Sequence, residues 1–192
     1  MKKKIVSVCL VVCLLATAII GTTLAYFTDD ATVTNTFTVG EVTITMDETD
    51  VDIYGVKESD TRVTENEYKL IPGRSYTKDP TIHVGADSED CYLFVTIDNG
   101  ISGVIKALDL AGWTYVAEGN YYYYGEGNGT VMSKNGEAVV FRDFTVLTTA
   151  DADALQAVAD ETIVVNAYAV QADGFDNAQA AWDAAKGELG IS

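Results

Sequence analysis

The chain carries a single histidine, His83, set in the run His83-Val84-Gly85-Ala86-Asp87. A zinc hydrolase of the His-Glu-x-x-His kind needs two imidazoles one helical turn apart and a third ligand, so one imidazole cannot build that centre. A zinc site made only of carboxylates suits the metal poorly, because zinc favours nitrogen and sulfur. No Gly-x-Ser-x-Gly turn presents a serine nucleophile. Gly125-Glu126-Gly127-Asn128-Gly129 is followed by neither Lys-Ser/Thr nor a helical pattern, so it is a flexible loop and not a phosphate cradle. Pairing two carboxylates among 29 acidic residues is arbitrary. Catalytic, cofactor-binding and metal-ligating residues are accordingly all assigned as none.

Calcium is the one cation the sequence leaves open as a ligand. Asp47-Glu48-Thr49-Asp50-Val51-Asp52 and Asp87-Ser88-Glu89-Asp90 cluster oxygen donors, but neither has the EF-hand spacing with its Gly at position 6 and Glu at 12. Solvated acidic loops are the simpler reading.

Two of the three cysteines, Cys9 and Cys13, fall in the apolar run Ile5 to Ile20, which follows Lys2-Lys3-Lys4 and has the layout of a secretory signal. Val11-Val12 lacks the small residue that lipid-linked cleavage at Cys13 requires. A small residue at Ala25, Thr23 two positions earlier and a sharp change to acidic sequence place signal cleavage between Ala25 and Tyr26. Uncleaved, Ile5 to Ala25 is long enough to cross a bilayer, and that is the one membrane contact expected. The C-terminus, Gly190-Ile191-Ser192, follows no sorting motif or hydrophobic tail. Residues 1–25 are thus read as the signal peptide. The remainder keeps nine basic residues against 29 acidic ones, a formal charge of −20. That charge repels phosphate backbones and anionic lipid, arguing against nucleic-acid binding and favouring solubility, cation binding or a basic partner. Its one cysteine, Cys91, allows no internal disulfide and alternates in phase with Leu93, Val95 and Ile97 as a buried small hydrophobe.

The elements read as mainly β. Val42, Ile44 and Met46 lie on one face of a strand and Thr43 and Thr45 on the other; Phe37 and Val39 have the opposite parity, so a bulge at Gly40 must switch the faces. Asp47 to Glu67 reads as acidic and irregular. Ile71-Pro72-Gly73-Arg74 is a type II turn. Thr81 to Val84 alternates, with His83 on the polar face, and Cys91 to Ile97 is the best core strand. Ile101 to Leu110 reads as a short helix burying Val104, Ile105 and Leu108. Trp113 to Val116 and Tyr121 to Tyr124 flank a turn at Glu118-Gly119-Asn120, and four successive tyrosines put two rings on each face, one pair outward. Asn135-Gly136 reads as a type I′ hairpin between Thr130–Ser133 and Glu137–Phe141. Asp151 caps a helix running to Glu161, Ile163 to Val170 has the apolar faces of a central strand, and Phe175, Ala178, Trp182, Ala185 and Leu189 mark a last helix with Asp176 and Gln179 as a capping box.

Thr23-Leu24-Ala25, then Tyr26-Phe27-Thr28-Asp29, then Asn35-Thr36-Phe37-Thr38-Val39-Gly40 leading into Val42-Thr43-Ile44-Thr45, resembles the TasA/camelysin group over residues 1–46. Asp79-Pro80-Thr81-Ile82 with Ser88 to Val95, and Tyr168 to Phe175, resemble uncharacterised members of the same class. The resemblance implies a secreted protein of a Gram-positive bacterium, released by a SipW-type signal peptidase into the extracellular matrix or onto the cell surface. It implies an antiparallel two-sheet sandwich of jelly-roll type, with a few short helices, over residues 40–192. Residues 26–39 become an N-terminal leader, a donor strand whose Tyr26, Phe27, Val33 and Phe37 fill pockets on an acceptor. The expected function is a structural subunit of biofilm-matrix or surface fibres, partnered by itself or by related matrix proteins. Two other classes remain: a camelysin-like metallopeptidase, which the single histidine disfavours, and a monomeric surface binding module using the tyrosine run.

Overall fold

A computed structural model describes residues 41–187, which belong to the larger of the two units into which the chain divides, 39–192. Cleavage between Ala25 and Tyr26, the leader residues Phe27, Val33 and Phe37, the bulge expected at Gly40 and the helical place expected of Leu189 lie outside the described residues.

The chain is mainly β, arranged in several antiparallel sheets, none of them closed. The first sheet has the order β2-β1-β4-β9, from β1 (Ile44–Val51), β2 (Lys57–Val63), β4 (Thr81–Val84) and β9 (Glu137–Val139). The second has the order β11-β5-β7-β6, from β5 (Cys91–Asn99), β6 (Trp113–Val116), β7 (Tyr121–Tyr124) and β11 (Ile163–Gln171); β8 (Val131–Met132) pairs with β5 beside Cys91 and Tyr92. A two-stranded sheet joins β3 (Ser75–Thr77) to β10 (Asp143–Thr145). Two short helices, α1 (Ala152–Ala157) and α2 (Ala178–Ala185), complete the elements among the described residues.

Alternation explains which faces are buried. Ile82 and Val84 of β4 and Cys91, Leu93 and Val95 of β5 form one cluster with Val140 and Phe141, and Ile44 and Met46 pack against it. The opposite face of β5 is also covered: Tyr92 and Phe94 meet Tyr121, Tyr123 and the α2 residues Ala178, Ala181 and Trp182. With both faces buried, β5 is the spine of the molecule, as its composition suggested. A third cluster gathers Tyr76, Phe144, Ile101, Val104, Ile105 and Val146. There Tyr76 stacks on Phe144 at 5.0 Å while Tyr68 meets both rings edge-on.

Several turn signals act as their chemistry requires. Arg74 N–H donates to Ile71 O at 3.1 Å with Gly73 at φ 78°, the glycine conformation a type II turn demands. Asp151 caps α1 by accepting from Ala154 N at 2.9 Å. The β6–β7 hairpin forms around the Glu118-Gly119-Asn120 turn, with Asn120 at φ 48° and Val116 paired with Tyr121.

Other expectations fail, each for a physical reason. The acidic stretch after Met46 is not irregular: β1 runs on to Val51 and β2 pairs with it, because its carboxylates find partners across the strands. Ile101 to Leu110 forms turns and an isolated bridge from Ile105 to Val146 in place of a helix, yet Ile101, Val104 and Ile105 are still buried. Asn135-Gly136 makes a turn, with Asn135 at φ 59°, but the flanking strands separate: β8 joins β5 and β9 joins β4, each drawn off by a better-buried neighbour. Neither face of the tyrosine run is free, because Tyr121 and Tyr123 are buried and Tyr122 and Tyr124 pack against the first cluster. Among the described residues β11 is an edge strand and not a central one; its apolar outer residues Tyr168 and Val170 are covered by α2's cluster. Asn177, not Asp176, caps α2, accepting from Ala180 N at 2.8 Å, and Phe175 precedes the helix.

Candidate functional site

The acidic run of β1 divides its side chains between the two faces of the first sheet. On the outer face, Asp47 lies next to His83 across the β1–β4 pair, and His83 places a carboxylate at each ring nitrogen: Asp47 Oδ1 at 2.9 Å from Nε2 and Glu137 Oε1 at 3.1 Å from Nδ1. Arg62 of β2 donates to the carboxylates of Asp47 and Asp79, to Thr81 Oγ1 and to two backbone carbonyls, so one guanidinium ties three segments together. Burial alone would raise the Asp47 carboxyl, but the hydrogen bonds and charges of Arg62 and His83 outweigh it and hold the group below its ordinary range. The remaining acidic side chains serve local structure: Asp50 accepts from Ser59, and Asp52 accepts from the backbone N–H groups of Tyr54 and Val56.

On the inner face, Glu48 follows Ile44 and Met46 in phase and is 4% exposed. A carboxylate at a core position must be satisfied or it costs several kcal/mol, roughly. Lys78, which directly follows β3, supplies Nζ at 2.7 Å from Oε2, and Asn66 supplies Nδ2 at 2.9 Å from Oε1. Asn66 is itself fixed: Nδ2 also donates to Thr49 O at 2.9 Å, and Oδ1 accepts from Val51 N at 3.0 Å. The β1–β2 register shifts between Thr49 and Val51, and that irregularity turns the Val51 N–H toward Asn66 instead of into the β-ladder. Tyr68 lies beside this group, with Lys78 Nζ 6.0 Å from its ring centre; its phenol is pushed far up, first by burial and then by the charges of Glu48 and Asp79.

Glu48 and Lys78 open onto a cleft of about 1020 Å³, walled by Met46, Tyr68, Phe144, Leu155 and Ile163. Along its side runs β11, which pairs with β5 through nine residues; among the described residues its other edge pairs with no strand. Sequence reasoning missed the cleft and its polar cluster. The one available signal was an acidic residue, Glu48, in phase with Ile44 and Met46 on a face otherwise apolar.

The acidic clusters put forward for calcium behave differently. Asp47 to Asp52 is spent on internal partners, and Ser88 of the second cluster accepts from Thr43 N at 3.3 Å. Among the described residues, no group of three or more His, Cys, Asp or Glu side chains is placed to hold a metal ion. No described helix is long and apolar enough to cross a membrane.

A family model described as camelysin metallo-endopeptidase matches residues 1–71. Over that stretch the chain is similar to the TasA/camelysin type. The match takes in β1, β2, Glu48 and Asn66, and stops before Lys78. No curated protein and no solved structure matches the chain. Among the described residues, the one histidine has a carboxylate from a neighbouring strand at each ring nitrogen.

Proposed function

We propose that this chain is an exported structural subunit of extracellular matrix or cell-surface fibres, built on a jelly-roll sandwich and joined by donation of the leader, residues 26–39, to the next copy. The observation that carries the reading is the edge of β11 beside the cleft, which pairs with no strand among the described residues. An unpaired strand edge offers a row of N–H and C=O groups to an incoming strand. Nine residues of β11 span about 30 Å and a 14-residue leader extends about 46 Å, so the leader is long enough to cover that edge. Tyr26, Phe27, Val33 and Phe37 supply the apolar side chains for the cleft, and a SipW-type peptidase would free Tyr26. The camelysin-type match over residues 1–71 includes this leader, which supports giving it a role of its own.

Deleting residues 26–35 is expected to leave a folded, soluble monomer that makes no fibres, and the same peptide added in trans is expected to cap growing ends. Normal polymerisation of the truncated chain would end the donor-strand reading. The family description favours a second reading, a metallopeptidase. Casein cleavage that is lost on chelation and restored by zinc would establish it in place of the first.

A further inference from the structure

The cluster on the inner face of β1 brings together the three groups needed to make an amide bond between side chains. Lys78 provides a primary amine, Asn66 a carboxamide, and Glu48 a carboxylate whose two oxygens contact one nitrogen of each, at 2.7 Å and 2.9 Å. The orientation of the carboxamide follows from its partners. Nδ2 faces two acceptors, Glu48 Oε1 and Thr49 O, and Oδ1 faces a donor, Val51 N–H, so the reverse assignment would set oxygen against oxygen twice. The group is also withdrawn from water, with the side chains of Glu48 and Lys78 only 5% and 13% exposed. An ion pair that served stability alone is weakly favoured in such a place, since desolvation offsets much of its attraction.

We propose that Lys78 and Asn66 become joined by an intramolecular isopeptide bond, with Glu48 as the catalytic residue that carries the protons. The Lys78 ammonium gives one proton to Glu48 Oε2 across their contact, leaving a neutral amine. Its lone pair attacks Cγ of Asn66, forming the Cγ–Nζ bond, and the negative charge that develops on Oδ1 meets the Val51 N–H already aimed at it. Glu48 then delivers its proton to Nδ2 and takes one from Nζ. The Cγ–Nδ2 bond breaks, ammonia departs and leaves as ammonium with the proton Glu48 has collected. Lysine ammonium and carboxamide have become a secondary amide and ammonium, with no oxidant, reductant or cofactor consumed. Proximity makes the step intramolecular, the condition under which so sluggish an aminolysis proceeds. The product ties the segment after β2 to the segment after β3 beneath the cleft. The bond does not depend on fibre assembly.

The test is a tryptic peptide map of the intact, folded chain by mass spectrometry. A bonded Lys78 is no longer a cleavage site, so the expected product is Val63–Lys69 joined to Ser75–Lys106, lighter by one ammonia than the two peptides together. Glu48→Gln keeps the size of the side chain and is expected to yield mostly separate peptides, as is Asn66→Ala. Asn66→Asp is expected to cross-link with loss of water in place of ammonia, which shows that the site and not the general fold is being read. A wild-type map with cleavage after Lys78 and a free Val63–Lys69 overturns the proposal. Equal cross-linking in wild type and Glu48→Gln overturns the role of Glu48.

Discussion

Trp182 of α2 stacks on Tyr121 of β7, with ring centres 4.4 Å apart and planes 25° from parallel. The same indole meets Phe94 at 4.9 Å and Tyr168 at 5.6 Å, so it joins three strands, β7, β5 and β11, on the outer side of the second sheet. Trp182 is 2% exposed. Replacing it by alanine is expected to cost about 3–5 kcal/mol, read from urea unfolding, while Trp182→Phe costs less. A loss below about 1 kcal/mol for the alanine variant would mean that α2 is not docked on the sheet.

Gly129 adopts φ 86°, and a Cβ placed there would stand 2.6 Å from the Cβ of Ala178. Both the backbone conformation and the closeness of α2 therefore demand glycine. Gly129→Ala is expected to lose about 1–3 kcal/mol, with a matching fall in melting temperature. The neighbouring Gly127 has open space around it, so Gly127→Ala meets only the strain of its φ of 58° and is expected to be milder.

The Asp47 carboxyl is held below its ordinary pKa by Arg62 and His83. Such a group binds fewer protons when folded than when unfolded. Its stabilisation is therefore fully present above the unfolded value, near 3.8, and is lost as pH falls through the lower folded value. Asp47→Asn is expected to be less stable than wild type at about pH 7, with the difference closing in the acid range. An equal difference at every pH would assign the loss to packing and not to charge.

Cys91 is fully buried, and burial raises its thiol to about 11, with the charge of Asp90 adding to the effect. Thiolate is the reactive form, so a maleimide is expected to label Cys91, located by peptide mapping, hardly at all in the folded chain and completely in the urea-unfolded chain. Fast labelling in native buffer would show that β5 opens readily.

Assembly of a subunit with formal charge −20 after residue 25 works against repulsion that salt screens beyond about 8 Å. Fibre growth is expected to quicken with added salt, with divalent cations, or as pH falls toward the sequence pI of 4.1. Unchanged sedimentation across that range would remove electrostatic control from the proposal.

The strands that were legible in the sequence are those decided by local pattern. Cys91 to Ile97 alternates, Ile71-Pro72-Gly73 can form only one kind of turn, and the Trp113–Tyr124 hairpin is closed by adjacent residues. What escaped is what depends on distant partners. Asp47 and Asp50 look like loop residues until Arg62 and Ser59 are brought across from the neighbouring strand. Asn135-Gly136 carries a hairpin's turn chemistry, but Val84 bonds both its residues, through Asn135 N–H and Gly136 O, and the turn becomes a corner between sheets. The Glu48 cluster joins residues from three separate segments, and only the misplaced charge on an apolar face announces it.

β5 and β11 pair residue for residue from Cys91 with Gln171 to Asn99 with Ile163, and everything from β6 to α1 lies between them in sequence. Contacts so distant along the chain close late, because the loop entropy must be lost before the ladder returns any gain. The β1–β2 and β6–β7 hairpins have no such delay. During folding there is thus an interval in which β5 has its local neighbours and still waits for the strand that is made last. In that interval the edge of β5 that β11 will occupy is itself open, so the late closing of this ladder is also the moment at which a strand from another chain competes best for the molecule's spine.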